Sequence, residues 1–71
     1  MEKLKNTILL TSYSGDKTLI LLNNVDYFQE HYSPEYESIN TLVKFKSGEI
    51  LYLQEYIEDI NNTINKTIWT I

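Results

Sequence analysis

The chain has no cysteine and no arginine, one histidine, one proline and two glycines, and each shortage closes off a class of function. Without cysteine there is no disulfide and no thiolate metal site, which removes two supports that chains under about 80 residues commonly use. Self-association is the support that remains, because a domain of 71 residues hides only about 60% of the surface its unfolded chain exposes. Missing arginine argues against nucleic acid, since guanidinium forks and clustered cations carry phosphate and guanine recognition. Ten acids against six lysines give a net charge of −4, which points the same way. The lysine pairs Lys3/Lys5 and Lys44/Lys46 alternate as strand residues do and read as solvated edges.

Gly15 and Gly48 each sit in a turn signal, so no glycine-rich phosphate loop can be assembled. The apolar stretch Thr7-Ile8-Leu9-Leu10-Thr11 is too short for a signal-peptide core, and no segment nears the roughly 20 apolar residues of a membrane span. The chain is therefore read as cytoplasmic, intact at both ends and without a membrane partner. Asn61-Asn62-Thr63 and Asn65-Lys66-Thr67 match the glycosylation pattern, as an Asn- and Thr-rich tail does by chance. His31 lies beside Glu30 and Tyr32 in a polar stretch and reads as solvent-facing. The carboxylate pairs Glu35/Glu37 and Glu58/Asp59 read as surface charge, because a hard cation needs more oxygen ligands and a shaping turn. No metal, no cofactor and no catalytic residue is expected.

What is present is strand pattern followed by helix pattern. Residues 7–11 and Thr18-Leu19-Ile20-Leu21-Leu22 flank the turn chemistry of Ser14-Gly15-Asp16-Lys17 and predict a hairpin. Asn23-Asn24 breaks the run before a third strand, Val25-Asp26-Tyr27-Phe28-Gln29-Glu30. Residues 31–40, with Pro34, Ser33 and Glu35, read as an exposed, mobile connection. A second hairpin follows, from Thr41-Leu42-Val43-Lys44-Phe45-Lys46 through Ser47-Gly48 to Glu49-Ile50-Leu51-Tyr52-Leu53. From Gln54 the period changes, and Leu53, Ile57, Ile60, Ile64 and Ile68 form the stripe of an amphipathic helix, acidic at its start and with Lys66 late. The end, residues 67–71, either continues that helix or packs Trp69 from an extended tail. The fold class is α+β, an antiparallel meander of about five strands and one C-terminal helix.

In Leu19-Ile20-Leu21-Leu22 and Ile50-Leu51-Tyr52-Leu53 both strand faces are apolar, while one helix covers one side. Two solutions stand: the sheet curls into a small barrel, or a second copy covers the remaining face through Ile20, Leu22, Ile50 and Tyr52. Residues 26–37 hold four of the ten acids, no lysine, and the aromatics Tyr27, Phe28, Tyr32 and Tyr36. Aromatic side chains supply contact area at low entropy cost and carboxylates steer basic partners, so Tyr27, Glu30, Tyr32, Glu35, Tyr36 and Glu37 form a candidate protein-docking patch. The competing reading splits Tyr27 and Phe28 between the sheet faces and uses Tyr32 and Tyr36 to anchor the loop.

Leu10-Thr11, Gly15, Leu21-Leu22-Asn23 before Val25, the segment Leu42 to Gly48, and Leu51-Tyr52-Leu53-Gln54-Glu55 ahead of an Ile-striped helix resemble, over most of the chain, the small flagellar FlbD family. The resemblance implies a fold of this kind and brings no catalytic residue; the acidic connection from Gln29 to Asn40 is longer than the family's. The layout is also similar to the strand–helix end of LytTR-type DNA-binding domains, an activity that the missing arginine puts in doubt. The expected function is a non-enzymatic protein-binding module, a small regulator or inhibitor of a larger partner with a basic surface, acting as a homo-oligomer. Small acidic chains rich in Lys, Asn and Ile suit a phage or mobile element that blocks host machinery. The alternatives are an oligomer that sequesters a small molecule in a pocket lined by Tyr52, Tyr56 or Trp69, and a flagellar or structural accessory protein.

Overall fold

The computed structural model describes residues 6–69, with side chains for residues 6–66. The elements run β1 (Thr7–Thr11), β2 (Lys17–Leu21), a 3-10 turn (Leu22–Asn24), β3 (Val25–Glu30), β4 (Thr41–Phe45), β5 (Ile50–Leu53) and α1 (Ile57–Trp69). This is the expected α+β meander with one C-terminal helix. It forms two antiparallel sheets, β1-β2 and β3-β4-β5, and does not close into a barrel. Among the described residues, an isolated bridge between Ser12 and Leu53 ties the backbones of the two sheets together. There the Tyr13 N–H donates to the Tyr52 carbonyl and the Gln54 N–H to the Thr11 carbonyl.

Both hairpins turn on a glycine in the left-handed region, where a side chain would strain the backbone: Gly15 at φ 98° and Gly48 at φ 100°. Asn6, at φ 58°, is the non-glycine residue in that region among those described, and its carbonyl accepts the Leu22 N–H. Between Val25 and Tyr27 the β3–β4 register slips by a bulge. The extra residue, Asp26, lets Val25 and Phe28, three apart, both pack against the core. Tyr27 faces away and is exposed, so Tyr27 and Phe28 do divide between the faces.

The core lies between the sheets and the helix and consists of Ile8, Leu10, Ile20, Val43, Leu53 and Ile60. Pairing Ile8 with Ile20 across the first hairpin turns Leu9, Leu19 and Leu21 outward. Ile20 is 2% exposed and Leu19 53%, so the outward residues on β2 are Leu19 and Leu21, and Ile20 belongs to the core. Leu22 likewise packs against the core from the 3-10 turn. Four apolar residues in succession contain no alternation from which a strand's parity can be read.

Two further expectations shift. The helix begins at Ile57 rather than Gln54, and Leu53 is a strand residue buried in the core, so its spacing from Ile57 is not a helical repeat. The connection 31–40 is tied to the body: Ile39 is buried, the His31 N–H donates to the Asn40 carbonyl, and Ser38 Oγ donates to the Tyr13 carbonyl. The backbone of Trp69 continues the helix. Lys3, Lys5 and the packing of Ile68 and Trp69 lie outside the described residues.

Candidate binding site

With the helix on the inner side, the outer face of the three-stranded sheet stays open. Cross-strand register aligns Tyr27, Lys44 and Ile50 in one row and Gln29, Leu42 and Tyr52 in the next. Lys44 Nζ stands 6.0 Å from the centroid of the Tyr27 ring, a cation over an aromatic face. His31, two residues beyond Gln29, continues this side, and its imidazole lies against Tyr52 with centroids 5.2 Å apart and planes at 37°.

At this end of the sheet the chain forms a cup of about 300 Å³ lined by Tyr13, His31, Ser33, Tyr36, Ile39 and Tyr52. Tyr13 arrives from the turn after β1 because of the bridge to β5, and Tyr36 arrives from the connection. Their rings meet edge to face, 6.5 Å apart at 63°. The backbone under each wall is held. The Tyr13 carbonyl accepts from Ser38 Oγ and Gln54 Nε2, both at 3.3 Å. Ser33 Oγ accepts the N–H groups of Glu35 and Tyr36 at 3.2 Å, a serine turn that presents Tyr36, whose carbonyl accepts the Ile39 N–H. A second hollow, about 340 Å³, runs between β3 and α1 and is lined by Phe28, Ile57, Glu58, Ile60, Asn61 and Ile64.

The six residues expected to form one docking patch are not gathered in one place. Tyr27 lies on the outer sheet face, Tyr36 walls the cup, and Glu35 and Glu37 flank Tyr36 in the chain, both exposed. Glu30 and Tyr32 are drawn the other way. The Tyr32 hydroxyl donates to Glu30 at 3.1 Å, and this bond, with the negative charge of Glu30 and then Glu58, raises the phenol above its ordinary pKa. Glu30 lies two residues from Phe28 on β3 and so shares the face of that strand that packs toward α1. Of the expected oligomer residues, Ile50 is exposed on the outer face and Tyr52 is half-buried there. Tyr13 and His31 were not anticipated as site residues: Tyr13 reads as turn flank, and only its long-range pairing with β5 brings it to Tyr52. The small-molecule alternative retains Tyr52, while Tyr56 is exposed and outside this cup.

Among the described residues no three His, Asp or Glu side chains come together as a metal site, and no helix is long and apolar enough to cross a membrane. No family model, no curated protein and no solved structure matches the chain. Function therefore rests on the geometry above.

Proposed function

We propose that the chain is a non-enzymatic protein-binding module, a small regulator or inhibitor of a larger partner, that works through the uncovered outer face of its sheets. The observation supporting this reading is that face itself. Leu9, Leu19 and Leu21 on the first hairpin, and Tyr27 and Ile50 on the second sheet, stay exposed in a chain with little apolar surface to spare. Two contacts follow from it. The leucine face of the hairpin serves self-association, and the aromatic cup, whose Tyr36 lies between the exposed Glu35 and Glu37 in the chain, serves a partner whose surface is basic.

The test is affinity capture with the purified chain, compared with a Glu35→Gln/Glu37→Gln variant. Both side chains are exposed and accept no hydrogen bond among the described residues, so the variant keeps its fold. A single stoichiometric partner, released by raised salt and held less well by the variant, supports the reading. Capture of no protein, or equal capture by the variant, overturns it. The cup favours one second reading, in which a small molecule fills those 300 Å³.

A further inference from the structure

We propose that the cup between Tyr13, His31, Tyr36 and Tyr52 is an alkylammonium site, filled by the side chain of a lysine on the protein partner. This rests on the docking reading above and gives it a chemistry.

The rings come first. An edge-to-face pair at 63° and a tilted pair at 37° cannot turn all their π faces on one another, so aromatic surface is left to line the hollow from more than one direction. Aromatic walls around a concavity favour a cation with apolar substituents, through the ring quadrupole on one side and dispersion on the other. A tyrosine-walled cup of about 300 Å³ has room for a lysine head and part of its stem.

Charge selects the sign. Glu35 and Glu37 bracket Tyr36 in the chain, and no lysine or arginine lies anywhere from residue 18 to residue 43, so apart from His31 the segment forming the cup carries no basic side chain. Beside the three tyrosine hydroxyls and the His31 imidazole, the polar group of the lining is the Ser33 hydroxyl, which already accepts two backbone N–H groups, and no carboxylate or amide side chain lines the cup. The same sheet face places Lys44 Nζ over Tyr27, so one lysine–tyrosine contact of this kind already exists on it. The walls are also held by their own backbone hydrogen bonds, so a ligand does not have to order them.

The test uses the isolated, isotope-labelled chain and two probes of nearly equal shape, choline and its neutral carbon isostere 3,3-dimethylbutan-1-ol, followed by amide shifts in NMR titrations. Choline should move Tyr13, Tyr36 and Tyr52 saturably and bind about 3- to 30-fold more tightly than the alcohol. Tyr36→Phe should keep that preference, because the ring and not the hydroxyl provides it, and Tyr36→Leu should abolish it with an unchanged far-ultraviolet circular dichroism spectrum. Equal binding of the two probes, no saturable shift with either, or unaltered choline binding by Tyr36→Leu overturns the site. A second pair, a capped Gly-Lys-Gly peptide and its norleucine counterpart, identifies the source. Binding of the lysine peptide alone supports a partner side chain, and choline binding without peptide binding overturns that source in favour of a free ammonium compound. None of these arms needs the partner, so a captured partner together with an inert cup would sink this inference and leave the docking reading standing.

Discussion

Residues 53 to 55 join three parts of the chain through their polar groups. The Leu53 carbonyl accepts the Asn40 N–H, the Gln54 carbonyl accepts Asn40 Nδ2, and Thr41 Oγ1, fully buried, donates to the Glu55 carbonyl at 2.7 Å. The Glu55 carboxylate completes the set by accepting the Thr11 N–H through both oxygens at 2.9 Å. That N–H faces the gap between the two sheets, where no backbone acceptor meets it, and a charged acceptor contributes about 1.5–3 kcal/mol. Glu55→Ala should therefore lower stability by about that amount, and Glu55→Gln by less, since an amide oxygen still accepts. A shift of the urea midpoint at constant slope would show it; an unchanged midpoint for the alanine variant would mean the bond is not formed in solution. Tyr32 gives a second prediction. Its pKa stands above the ordinary tyrosine value, so the stabilising contribution is complete below that value and is lost as pH climbs through the raised one. Glu30→Gln should bring the Tyr32 transition back toward the ordinary range in an ultraviolet absorbance titration, with Tyr32→Phe identifying the transition.

At the scale of elements, the second hairpin shows how a local signal can suffice. Gly48 adopts φ 100° and a Cβ built there would meet nothing within 4 Å, so Gly48→Ala should cost only the backbone penalty, about 1–2 kcal/mol in a thermal melt. A loss far outside that range would mean that the turn rearranges. Strand content, both glycine turns, the third strand and the apolar helix stripe were readable because each depends on neighbours in sequence. The rest depends on distant partners. The helix start was misread because Leu53 stands four residues before Ile57 whether it ends a strand or begins a helix. The face of β2 was misread because Leu19-Ile20-Leu21-Leu22 is apolar throughout, and only pairing with Ile8 decides that Ile20 goes inside. Of the cup, the sequence offered Tyr36 as a binding residue and Tyr52 as an interface residue. It hid Tyr13, whose place follows from the Ser12–Leu53 bridge, and it grouped with Tyr36 the residues Glu30 and Tyr32, which the fold pairs with each other outside the cup.

For the whole molecule, the sharpest consequence comes from the pair Leu9 and Leu19. They stand directly opposite each other on the outer face of the first hairpin, 60% and 53% exposed, with Leu21 beside them. A two-stranded sheet has little stability of its own, and this one packs only its inner face on the core. A domain of this length has a total stability of about 4–11 kcal/mol, so covering those leucines with a second copy would be a substantial addition, and one that grows with concentration. Light scattering after size exclusion should show a mass that rises with concentration, and the melting temperature should rise with it. Leu9→Thr/Leu19→Thr puts β-branched residues on the strands and leaves Ile8 and Ile20 in place, so it should yield a folded monomer whose melting temperature no longer depends on concentration. Ile20→Thr should instead lower the melting temperature at every concentration, because it puts a hydroxyl into the core. A wild-type chain that stays monomeric over the accessible concentration range would show that these leucines remain in water, and self-association would have to be abandoned.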